Sequence, residues 1–148
     1  RFHNLVYGAL VNLFEVTVRA GLLNHPGEAM GYRVSLQDRA VAYITDTEHF
    51  SDRLDKNVLE LADRADVLIY DCTYTDEEYH DPQSGKIGWG HSTWQEGVKL
   101  ALAANVKKLV IFHHDPSHND EFMDLTSSRS IQVFPQSVVA REGMEISI

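Results

Sequence analysis

Residues 108–115 read KLVIFHHD: a run of apolar residues that stops abruptly at His113-His114-Asp115. A short continuous apolar run has the pattern of a strand buried on both faces, as in a parallel sheet. The polar triplet that ends it then falls at the rim of the core. Working outward, the same arrangement recurs. Residues 67–70, VLIY, run into Asp71, and residues 40–44, AVAYI, run through Thr45 into Asp46. Residues 14–23 alternate in part, as a half-buried strand does, and stop at Asn24-His25-Pro26-Gly27, a strong turn signal. In layered α/β folds ligands bind beyond the carboxyl ends of strands. His25, Asp46, Asp71 and His113 are therefore candidates for one shared site.

The segments between these strands have helical spacing. Val58, Leu61, Ala62 and Ala65 mark a helix over 57–65. Ser92 reads as the N-cap of a helix over 93–104; Glu96 stands four residues on, so a strict capping box is not met. A weaker helix is expected over 122–130. Residues 31–36 and 40–44 form a hairpin through Gln37-Asp38-Arg39. Residues 71–90 read as a polar loop whose acidic stretch, 75–79, is a solvated face. Short closing strands are expected at 137–140 and 144–148, with Glu142 a turn residue, and residues 1–12 are open between helix and strand. Strands first, then alternating helix and strand, give an α/β (α+β layered) fold, one layer of a sandwich.

Length and composition fit a single domain over 1–148: 148 residues, 43% hydrophobic and 24% charged. No apolar run approaches the roughly 20 residues of a membrane span, and no signal-peptide pattern opens the chain. The start at Arg1-Phe2-His3, without an initiator Met, suggests a processed or truncated product. Net charge is −9 and the 13 Lys and Arg are scattered, so a long nucleic acid is a poor partner. A small anion drawn in by a metal remains compatible, because a metal inverts the local field. The single cysteine, Cys72, permits no internal disulfide and fits a reducing, cytoplasmic compartment.

Eight histidines are many for this length, and they gather at the ends of apolar segments: His25, His49, His91, His113 and His114. Imidazole nitrogen and carboxylate oxygen are the donors that zinc and similar ions take in catalytic sites. Gly90-His91-Ser92-Thr93 sets a further histidine just before a helix N-terminus, where free N–H groups favour an anion. Each residue also has a plain reading: His25 as a loop cap, Asp46 as a turn former, His91 as part of a helix start. The ordered set argues for the metal. His49, His114, Asp115 and His118 are expected around the site as supporting groups or pocket edge, Cys72 as a small core residue, and Trp89 and Trp94 as either pocket wall or core.

The segments NHPGEAMGYRV, YITDTEH, IYDCTYTDEEY, GHSTWQE and LVIFHHDPSH, in this order from about residue 16 onward, resemble the metallo-β-lactamase superfamily. Within it they are most similar to the phosphodiesterase branch that contains tRNase Z and cyclic-phosphate phosphodiesterases. The resemblance implies an αββα sandwich and a dinuclear centre, with two Zn²⁺, or Mn²⁺ or Fe. It implies metal ligation by His25, Asp46 (bridging) and His113. It makes His91 the proton donor and Asp71 the acid that orients it, though DCT stands here where tRNase Z-like chains have HEAT. The implied reaction is hydrolysis of a small phosphodiester, cyclic ones included, by a metal-bound hydroxide.

One departure qualifies this. The family's main metal motif, HxHxDH, is absent, and His3 stands alone in RFHNL. The chain then corresponds to the C-terminal portion of the fold. It needs a missing N-terminal half, or a partner such as a second copy. Two alternatives stay open: a hydrolase of another ester, such as a lactone or thioester, and a non-catalytic fragment or partner subunit. An exposed apolar face where the missing half would pack is the expected mark of a partial domain.

Overall fold

The most apolar segments of the sequence occupy the most enclosed strands. The structure, a computed structural model, describes residues 5–148; His3 lies outside the described residues. One seven-stranded sheet has a spatial order that follows the sequence: β1 (Leu10–Leu13), β2 (Val16–Leu23), β3 (Ala29–Leu36), β4 (Arg39–Ile44), β5 (Val67–Asp71), β6 (Leu109–Phe112) and β7 (Ser137–Val139). β1 to β4 pair antiparallel and β4 to β7 pair parallel. The change of direction follows from connection length. Tight turns return the chain antiparallel, whereas parallel neighbours need crossovers, here through α1 (Lys56–Ala62), α3 (Trp94–Ala103) and α4 (Asp120–Val133).

Successive right-handed crossovers along one direction of the sheet put these three helices on one face, and α1 touches α3, which touches α4. The core lies between them and the sheet: Ala42, Ile44, Leu68, Tyr70, Leu109 and Ile111 from the strands, and Val58, Leu61, Val98 and Ala101 from the helices. Helix α3 comes very close to β5. A Cβ on Gly97 would stand 3.0 Å from Tyr70 Cδ1 and 3.1 Å from Cys72 Sγ, so glycine there sets the helix–sheet spacing.

The opposite face of the sheet is apolar and open. The register places Leu13, Val16 and Leu36 side by side, then Val18, Val34 and Val41, then Tyr32 and Tyr43. Leu13, Val34, Leu36 and Tyr43 are each exposed. Among the described residues, no helix or second sheet covers them. Monomeric proteins seldom leave a contiguous apolar surface of this kind in water.

The layered α/β class is as expected, and several local readings change. The cap of α3 is Thr93, whose side chain accepts from Glu96 N, while Ser92 is fully buried beneath the site. The expected loop over 71–90 contains a short helix, α2 (Asp76–Tyr79), opened by a reciprocal capping box between Thr75 and Glu78. The acidic stretch is thus only partly solvated, since Thr75 and Tyr79 are buried. Helix α4 is longer than expected because it buries Thr126 and Ser130, small polar residues that an apolar periodicity does not register. Residues 144–148 form no strand and are largely exposed, and the ambiguous N-terminal segment contributes β1. No helix of the described residues is long and apolar enough to cross a membrane.

Candidate metal centre

The site is assembled where four connections leave the sheet. His25 follows β2, Asp46 follows β4, Asp71 ends β5 and His113 follows β6. Asp46 and His113 both have left-handed backbones, φ 59° and 63°. Non-glycine residues adopt this conformation at a cost, and it collects at functional sites because the surrounding structure imposes it. Here it turns both side chains back over the sheet edge, with His113 Nε2 3.6 Å from Asp46 Oδ1.

Asp71 is the fixed point beneath them. It is fully buried and accepts hydrogen bonds from three backbone amides: Thr47 N at 3.2 Å, Thr73 N at 3.3 Å and Ser92 N at 3.3 Å. It also takes the Thr73 hydroxyl at 2.7 Å and lies 2.9 Å from His91 Nδ1. A buried carboxylate is tolerable only when its lone pairs are filled in this way. The bond to Asp71, before any other influence, raises the His91 pKa and holds the ring toward its protonated form, while partial burial opposes this. Thr73 Oγ1 links the two sides of the site: it is 2.7 Å from the His113 carbonyl oxygen and 3.1 Å from His113 Nδ1.

Two trios have ligand atoms within 4.8 Å of one another: His25, Asp46 and His91; and Asp71, His91 and His113. The expected ligand trio, His25, Asp46 and His113, is not itself such a group; its link is the Asp46–His113 contact. His91 is common to both trios. Its ring stacks on that of His113 at 5.0 Å between centroids and meets His25 edge-on at 5.8 Å. Three imidazoles and two carboxylates converging at one rim form a donor set that suits zinc and related divalent ions.

The surrounding residues divide. His49 bonds Ser92 Oγ at 3.0 Å, which in turn receives the Tyr70 hydroxyl, and burial lowers the His49 pKa. His114 turns away from the cluster toward the Ala140 carbonyl, and Asp115 caps the turn at Ser117 N. His118 pairs with Glu78 at 2.7 Å and stacks on Phe122. Trp94 belongs to the core; Trp89 is exposed with Lys86 above its ring. Sequence reasoning passed over three contributors. Thr73 is signalled only by standing two residues after Asp71. Glu48 accepts from Tyr79 Oη, Gly88 N and Gly90 N. Gly90, at φ 87°, lies so close to His25 that a Cβ would be 2.4 Å from its ring.

Comparison with known proteins agrees with this geometry. The family model described as the beta-lactamase superfamily domain matches residues 6–114. Ribonuclease Z of Picrophilus torridus is 34% identical over 139 residues, covering 86% of this chain and 41% of that protein. The metallo-beta-lactamase fold protein YhfI from Bacillus subtilis superposes with a TM-score of 0.76 at 17% identity, over 95% of this chain and 52% of that one. A diphosphatase from the PhnP family superposes at 0.67 with 22% identity, over 97% of this chain and 47% of the other. The chain spans less than half the length of the ribonuclease Z relative. With the sheet, its one-sided helices and the histidine–aspartate rim in place, the chain belongs to the β-lactamase superfamily and has the metallo-β-lactamase fold.

Proposed function

We propose that the protein carrying this chain is a divalent-metal-dependent phosphodiesterase acting on a small phosphodiester, cyclic ones included. The observation that carries the reading is the Asp71–His91 pair at 2.9 Å, directed at the His25–Asp46 side of the rim. Nδ1 is committed to Asp71, so Nε2 is free to give a proton to a leaving oxygen. Asp46, His25 and His113 would hold the ions, two Zn²⁺ by preference, with Mn²⁺ or Fe as substitutes. Bound there, the ions supply an activated water near neutral pH and neutralise phosphoryl charge. Thr73 and Asp71 fix the His113 and His91 rings before substrate arrives. The remaining ligands, and a cover for the open sheet face, come from the rest of the protein. The single buried Cys72 fits a reducing, cytoplasmic setting.

A net charge of −9 favours a small substrate over a long nucleic acid. The ribonuclease Z name of the relatives favours a second reading, cleavage of RNA phosphodiesters. Metal content and turnover of bis-p-nitrophenyl phosphate, a precursor tRNA and a lactone, measured on the full-length protein, decide between them. We expect chelator-sensitive diester turnover; preferred lactone hydrolysis would overturn the phosphodiesterase reading, and preferred tRNA cleavage would overturn the small substrate. His91→Ala should lower turnover by about 10²–10⁴ while metal content stays nearly intact. Loss of metal in that variant would instead make His91 a ligand.

A further inference from the structure

Glu48 has no partner of opposite charge among the described residues, yet it is buried. Its carboxylate is filled by neutral donors from one stretch of chain: Oε1 takes the Tyr79 hydroxyl at 2.5 Å and Gly88 N at 2.6 Å, and Oε2 takes Gly90 N at 3.0 Å. Its own backbone is pinned from the other side, with Glu48 N donating to Asn24 O at 2.8 Å and Asn24 Nδ2 donating to Glu48 O at 2.9 Å. One residue therefore joins three connections: the turn that carries His25, the loop that carries Asp46, and the loop that carries Gly90 and His91.

We propose that Glu48 is a positioning residue for the reaction assigned above, a clamp whose two bonds to glycine amides seat Gly90 against the His25 ring and deliver His91 to Asp71. The effect on turnover rests on that functional reading, whereas the clamp itself rests on geometry. Gly88 and Gly90 both have left-handed backbones, φ 85° and 87°, in a stretch that no strand or helix holds. Bonds from amide to carboxylate are among the stronger ones a loop can form. Gly90 has no room for a side chain, since a Cβ would lie 2.4 Å from His25 Cδ2 and 2.8 Å from Pro26 Cδ. The glycine backbone is thus the wall on which the His25 ring rests. The next residue, His91, can reach Asp71 only if that wall is in place. Glu48 touches no reacting atom and acts through Gly90.

Glu48→Gln tests it in the full-length, metal-loaded protein. A glutamine has one acceptor oxygen, so whichever way its amide is turned, the NH₂ faces either Gly88 N or Gly90 N. Amide exchange at these two glycines, followed by NMR, should accelerate about tenfold or more. On the phosphodiester substrate, kcat should fall about 10- to 100-fold with KM little changed, the signature of misplaced groups. Thermal melting within a few degrees of wild type checks that the fold survives. Gly90→Ala leaves the carboxylate intact and should lower kcat through the displaced His25 ring. Unchanged glycine exchange in Glu48→Gln overturns the clamp, as does faster exchange with an unchanged kcat. Gly90→Ala with wild-type kcat overturns the link to His25. If the wild-type protein turns over no phosphodiester, the functional reading fails, and glycine exchange still decides the clamp.

Discussion

The two halves of the sheet are built from similar strands and meet different surroundings. In the parallel half, β4 to β7, the helix-facing side is sealed under α1, α3 and α4, and Ala42, Ile44, Leu68, Leu109 and Ile111 have essentially no contact with solvent. In the antiparallel half, β1 to β3, α1 packs on the helix side of β2 and β3, while on the far face Val16, Val34 and Leu36 form an equally apolar stripe that stays open. The enclosed half holds its polar groups rigidly, because a buried carboxylate such as Asp71 must be satisfied completely. The open half contributes one of the candidate site residues, His25, and that ring leans on Gly90 of a loop from the other half. The open apolar face and the histidine–aspartate rim therefore lie in one chain, the first without a cover among the described residues and the second held by buried hydrogen bonds.

The largest effect expected is at the enclosed rim. Asp71→Asn replaces an acceptor-only group with an amide, one of whose faces must now meet N–H donors. It should cost about 3 kcal/mol of stability by chemical denaturation and lower turnover by about 10³, the size of losing an oriented histidine. Wild-type stability in this variant would break the claim that the parallel half is the rigid one. On the open face of the sheet, Leu36→Lys with Tyr43→Lys should reduce self-association of the 148-residue chain in sedimentation while leaving its melting temperature nearly unchanged. A chain already monodisperse before substitution would show that the face needs no cover.

The smallest effect expected lies within the parallel half, at the end opposite the site, where the chain enters β4, β5 and β6. The hydrogen bond from Lys107, with those from Ala40 N and Arg39, lowers the Asp66 pKa from 3.8 to about 2. Since the folded pKa is depressed, this stabilisation is present above about pH 4 and is lost as pH falls toward about 2. Both cations are mostly exposed, so solvent screens the pairs. Asp66→Asn should cost about 1–2 kcal/mol at neutral pH and flatten the acid limb of the stability curve. An acid limb identical to wild type would remove the ion pairs from the account.

Much of this was legible in the chain. Runs such as VLIY and LVIF ending in Asp71 and His113 announced buried strands with polar rims, and the rim residues did come to one edge of the sheet. What was less legible was supplied by contacts between distant residues. Helix α2 was hidden because its burial rests on Tyr79 meeting Glu48, 31 positions away. The length of α4 was hidden because its buried residues are Thr126 and Ser130. Thr73 and Glu48 carry no motif, since their importance is the set of partners around them.

By itself the sequence determined the layered α/β class, the strand ends that bear chemistry and the absence of an HxHxDH stretch from these 148 residues, because each of these is written in local periodicity and residue type. Only the tertiary structure decided that Asp46 and His113 turn back in left-handed conformations, that His91 lies between both ligand trios, and that Glu48 holds Gly90 against His25. Backbone strain of that kind is imposed by packing between connections far apart in the chain, and no stretch of residues encodes it alone.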